Sequence, residues 1–323
     1  MGESMRTMKY LSPTSLKMFY ENRENFYLQY LCDKKTPRPP QTNAMAVGSA
    51  FDAYVKSFLV EKLVGKRPEF ERDTIFTAQV ESHNRDEAKK AGEIVFKEYS
   101  RLGALSDLLI DLEGCIGEPR FETTVEGYVS AVSLAFGDVP FLGKPDIFFI
   151  TKQGARIIFD WKVNGYYSNY NVSPKAGYTR IRSSDPKLNG KVHPKAMVMD
   201  HQGIKISITH PLDTVDREWA AQLSIYSWLL GQDIGSKFIV GIDQIFCGND
   251  DFGGKKIGVA QHRSIVNESF QQETFKKANE AWKAIQSGHV FFECPRPESD
   301  ARCVLLDAMA DTPPDPAFDA ILR

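Results

Sequence analysis

The chain has 323 residues, with 40 Lys and Arg against 42 Asp and Glu, a formal charge of −2 and 42% hydrophobic residues. That is the composition of an ordinary globular protein with room for a sizeable core. No run approaches the roughly 20 apolar residues of a membrane span, and Cys32, Cys115, Cys247, Cys294 and Cys303 are too scattered for a disulfide framework. The opening MGESMRTMKY lacks the apolar stretch of a secretory leader, so a cytoplasmic protein with no membrane partner is expected.

In chain order, Ser12 as N-cap and Pro13 at the first helical position open an amphipathic helix over 12–32. Its apolar positions include Leu16, Phe19, Phe26, Tyr27 and Tyr30. Prolines in the following loop stop it. A second helix is expected over 44–64, beginning near Gly48, and 73–110 is helical with a charged, solvated face. Near residue 119 the period changes to two. FETTVEGYVSAV, VPFLGKPDIFFI and ARIIFDWKV then read as strands. Residues 163–213 form an irregular insert, and 219–231 is a helix. A hairpin over 237–247 and 255–266 precedes a last helix over 268–287 and a Pro-containing tail. The order predicts an α/β fold with a central mixed sheet flanked by helices. One domain is expected over 1–323, with a helical part at 1–114, a core at 115–266 carrying the insert 163–213, and a C-terminal helix and tail at 267–323.

The segment with the clearest chemistry is GKPDIFFITKQGARIIFDWK, residues 143–162. A turn centred on Gln153 makes Asp146 and Asp160 cross-strand neighbours with Cβ atoms about 5 Å apart. Lys162 shares their face, while Ile147, Phe149, Ile157, Phe159 and Trp161 take the other. Opposed carboxylates on an apolar hairpin need a compensating cation or a raised pKa. Clustered oxygen ligands suit Mg²⁺ or Mn²⁺ better than zinc. A plain surface hairpin would place the same residues there without chemistry, and Asp-x-Lys alone, which recurs at Asp33 and Asp185, carries no signal. Gln222 and Tyr226 stand at i, i+4 on one helix face, a pair equally at home on a bland surface. Asp52 is the one acid in the apolar run AVGSAFDAYVKSF, where it could also serve a helix dipole.

In combination, and in this order along most of the chain, these motifs resemble the PD-(D/E)XK nuclease superfamily, in its RecB-like and phage recombination exonuclease branch. The resemblance implies a restriction-endonuclease-like core and a Mg²⁺- or Mn²⁺-dependent DNA nuclease, an end-processing exonuclease before a structure-specific or nicking endonuclease. The rival of another class is a catalytically silent DNA-binding subunit. It further implies that Asp146, Asp160 and the carbonyl of Trp161 bind metal, that Lys162 assists the attacking water, and that Gln222 and Tyr226 orient the site. Asp52 stands where the branch carries a metal-binding histidine. An acid of the first strand joins such sites; Glu122 or Glu126 would serve, and Glu122 is taken although strand parity does not choose. Oligomers and a single-strand annealing or recombination partner are compatible with the branch. The iron–sulfur cluster of some relatives is not expected, because the tail offers only Cys294 and Cys303; with His289 these match no common zinc spacing either.

The insert is the expected DNA-binding element. Residues 163–210 hold seven basic residues, among them Lys175, Arg180 and Arg182, against Asp185 and Asp200. Tyr166, Tyr167 and Tyr170 are interleaved. Cations track phosphates and aromatic rings stack on bases; a polar loop without a partner is the plainer alternative. No Walker-type lysine loop or nucleophile triad is present.

Overall fold

The computed structural model describes residues 6–33, 39–121, 125–129, 139–201, 204–208, 210–231, 234–235, 238–249, 254–288 and 290. Ser12 and Ser15 cap the first helix reciprocally: Ser15 N donates to Ser12 Oγ (3.1 Å) and Ser12 N to Ser15 Oγ (2.8 Å). The expected single helix over 12–32 is broken at Asn22. That residue is extended, ends α1 (Pro13–Glu21), and caps α2 (Arg23–Phe26) by accepting from Asn25 N at 2.9 Å. A π-turn, Tyr27–Leu31, follows. The side-chain cap competes with helix continuation and wins. Next come α3 (Asn43–Leu63), α4 (Arg72–Gln79), α5 (Arg85–Arg101) and α6 (Ala104–Glu113).

The main sheet has six strands in the order β1 (Arg120–Phe121), β4 (Ile147–Ile150), β5 (Arg156–Asn164), β9 (Phe238–Asn249), β10 (Lys255–Ile265) and β6 (Arg180–Ser183). Only β5 and β9 are parallel. A parallel pair needs a crossover, and α8 (Arg217–Gly231), preceded by the short α7 (Leu212–Val215), lies on that connection. The fold is mixed α/β with helices on both faces. On one face, Val47, Phe51 and Val55 of α3 with Val95 and Tyr99 of α5 bury against Phe149, Phe159 and Trp161. On the other, Trp219, Ala220, Leu223 and Tyr226 of α8 cover Phe148, Ile158 and Val240. A third cluster joins α1 and α9 (Glu268–Ser287) to Phe141 and Trp228. No described helix is long and apolar enough to cross a membrane.

Two further expectations are revised. The strand read over 139–150 is two strands: β3 (Val139–Gly143) pairs with β2 (Val125–Val129) in a separate ribbon, and β4 belongs to the main sheet. Pro145 lies at the break, where a residue without an N–H cannot sustain a ladder. The insert is not irregular throughout. It contributes the sheet strand β6, hydrogen-bonded to β10, and a ribbon of β7 (Met197–His201) and β8 (Ile204–Ile208). The ladder partners of β6 lie some 75 residues away in sequence, beyond the reach of any local pattern.

Candidate active site

The β4–β5 hairpin has the expected register: Ile147 opposes Phe159 and Ile150 opposes Arg156. Gly154, at φ +85°, closes its turn with a 2.8 Å bond from its N–H to Thr151 O. Extending the register by one pair sets Asp146 against Asp160. Trp161 N donates to Asp146 Oδ2 at 3.3 Å. Even-numbered side chains of β5 face α8, so Lys162 Nζ reaches Gln222 Oε1 (3.0 Å), and Gln222 Nε2 donates to Tyr226 OH (3.3 Å). Gly143 has a packing role here: a Cβ would fall 2.7 Å from Tyr226 Cδ1 and from Leu229 Cδ1. A bare backbone lets α8 approach the strand that leads to Asp146.

From the opposite side α3 brings Asp52 and, one turn later, Lys56. Lys56 Nζ donates to Asp52 Oδ2 (2.8 Å) and Asp146 Oδ1 (3.1 Å), and its side chain is only 3% exposed. Gln79 Nε2 also donates to Asp52 Oδ2, at 3.0 Å. Asp52, Lys56, Gln79, Asp146, Asp160, Lys162 and Gln222 share the lining of one cavity of about 350 Å³. Neither Lys56 nor Gln79 stands out in the sequence. The i, i+4 spacing of Asp52 and Lys56 in an otherwise apolar helix was the available signal for the lysine; Gln79 lies on another helix and had none.

The electrostatics follow from burial. Asp160 is pushed up to about 8 by burial, with the adjacent Asp146 charge adding to it. Burial would also raise Asp146, but Lys56, a hydrogen bond from Asp160 and Lys162 outweigh it and hold that carboxyl well below its usual range. Asp52 is raised to about 6 by burial and by Asp146. Burial opposes the charge of Lys162, yet Asp160 raises its pKa overall. The Asp146–Asp160 pair therefore keeps one proton in the absence of another cation.

Whether a divalent ion suits this site is decided by the donors. Among the described residues no group of three or more His, Cys, Asp or Glu side chains could hold a metal ion. Mg²⁺, however, retains much of its water and is commonly held by one or two carboxylates with substrate phosphate. Asp146 and Asp160 provide such a pair. Asp160 Oδ2 is buried with no hydrogen bond and is ion-paired to Lys162 Nζ at 2.7 Å. A buried carboxylate oxygen without a hydrogen bond, beside a second carboxylate, fits a hard cation.

The insert residues divide. Tyr170 is largely exposed, and Tyr167 and Arg180 are also exposed. Tyr166, expected to stack on DNA, is buried in the core beneath Lys255 and against Tyr167, and offers no face to a base. Arg182 is likewise committed: its guanidinium forks onto both Asp107 oxygens at 2.8 Å. Lys175 pairs with Asp216 and lies over the Trp219 ring. Both cations have found acids distant in sequence. Glu122, His289, Cys294 and Cys303 lie outside the described residues.

Behind the site, Trp161 Nε1 donates to Tyr99 OH (3.2 Å), Tyr99 OH donates to Asp243 Oδ2 (2.8 Å), and Arg263 donates to Asp243 Oδ1 (3.0 Å). This buried relay from α5 to β9 and β10 was not legible from any local motif.

No protein-family model matches the chain, and no curated protein does. A solved structure described as "Crystal structure of SSO0001" is similar over 86% of this chain and 95% of its own, at 11% identity and a TM-score of 0.26. A likeness that slight supports no conclusion about either fold or function.

Proposed function

We propose that this chain is a divalent-metal-dependent deoxyribonuclease of the PD-(D/E)XK kind on a restriction-endonuclease-like core, and within that class a DNA-end-processing exonuclease of recombination or phage replication. The observation that carries the proposal is the register-matched pair Asp146 and Asp160 with Lys162 between Asp160 and Gln222. Asp146, Asp160 and the Trp161 carbonyl would hold Mg²⁺ or Mn²⁺. Bound there, the ion supplies Lewis-acid charge to the phosphate and makes water a better nucleophile.

The chain's own groups do the rest. Lys162, held by Gln222, directs a positive charge at the phosphoryl oxygens as negative charge builds on them. Tyr226 fixes Gln222 in turn, and Asp160 would give up its proton on binding the cation. A water oxygen bonds to phosphorus and gives up a proton to solvent, the bond to the bridging oxygen breaks, and that oxygen takes up a proton from solvent. Tyr167, Tyr170 and Arg180 offer exposed contacts to the nucleic acid. The preference for ends over internal sites rests on the family resemblance alone. One observation favours a second reading, a DNA-binding subunit without catalysis: Lys56 already pairs with both Asp52 and Asp146.

The test is cleavage of end-labelled linear and closed circular DNA in Mg²⁺ or Mn²⁺. Degradation of the linear form alone is the expected result. Cutting of circles assigns an endonuclease, and no cleavage of either with both metals favours the silent subunit.

A further inference from the structure

The Lys56 ammonium lies where a cation bridging Asp52 and Asp146 would lie. It is 2.8 Å from one carboxylate and 3.1 Å from the other, on a side chain almost wholly withdrawn from solvent. A divalent ion at that point would have to draw both carboxylates to about 2.1 Å and expel a buried ammonium. Asp52 is further tied by Gln79. On the other side of Asp146 the arrangement differs: Asp160 Oδ2 is buried with no hydrogen bond, and the ammonium 2.7 Å from it belongs to Lys162, whose side chain is 24% exposed against 3% for Lys56.

We infer that Lys56 is a built-in replacement for one metal: the site takes a single divalent cation, between Asp146 and Asp160, and Asp52 anchors the lysine instead of ligating metal. The inference rests on the nuclease reading and assigns Lys56 and Asp52 as positioning residues within it.

Manganese titration followed by the electron paramagnetic resonance of free Mn²⁺, on the full chain without DNA, tests it. One equivalent is expected for the wild type, one for Asp52→Asn, none for Asp160→Asn and two for Lys56→Met. Should Lys56→Met not fold, the isosteric Asp52→Asn still decides, since loss of the ion there makes Asp52 a ligand and overturns the inference. Two equivalents in the wild type, or one in a folded Lys56→Met, also overturn it while leaving the nuclease reading intact. A wild type that binds no Mn²⁺ overturns both.

Discussion

Single buried polar groups set the tolerance of this protein to change. Tyr99 donates to Asp243 and accepts from Trp161, and Asp243 is fully buried. Tyr99→Phe leaves an indole N–H and a carboxylate oxygen short of a partner, so it should destabilise the fold by about 1–3 kcal/mol, read as a lower denaturant midpoint. His262 makes a pH prediction. Burial, and then the neighbouring Arg263 charge, pull its pKa from the ordinary 6.5 down to about 4, and its Nε2 is 3.3 Å from Gln244 Oε1. A depressed folded-state pKa means that this stabilisation is complete above about 6.5 and is lost as pH falls toward 4. His262→Gln should therefore narrow the gap between urea midpoints measured at pH 7 and pH 4.5. Midpoints falling in parallel for the two proteins would refute that assignment.

At the level of elements, the approach of α8 to β3 depends on one missing methyl. Gly143→Ala would thrust a Cβ into Tyr226 and Leu229, with a cost of about 1–3 kcal/mol for overpacking. The Gln222–Lys162 contact should shift with Tyr226, so DNA cleavage should fall more steeply than DNA binding, as a filter-binding assay beside the cleavage assay would show. The β4–β5 hairpin was legible because strand parity and turn position fix register over a few residues. Asp146, Asp160 and Lys162 came with it, and Gln222 with Tyr226 through helical spacing. Lys56 was not singled out because nothing local says that α3 ends up against Asp146. Tyr166 and Arg182 were misplaced for a related reason: composition records that a segment is aromatic and basic, not which rings the core absorbs or which cations meet Asp107.

For the molecule as a whole, the −2 balance conceals a redistribution. The insert contributes basic residues that the fold partly neutralises with acids from other segments, Asp107 for Arg182 and Asp216 for Lys175. In the other direction, Lys256 of β10 pairs with Asp185. Arg180 remains exposed on β6, an edge strand of the main sheet, while at the site Asp52, Asp146 and Asp160 share a cavity with Lys56, Lys144 and Lys162. A near-neutral protein of this kind would engage DNA locally, at the site and the exposed insert residues, without a basic coat. In the proposed mechanism Lys162 acts on the reacting phosphate. Single-turnover cleavage of end-labelled linear DNA in Mg²⁺, with protein in excess, measures that step for the wild type and Lys162→Ala. A rate lower by roughly 10²- to 10³-fold, with DNA affinity little changed, is the predicted result; equal rates in the two proteins would contradict it.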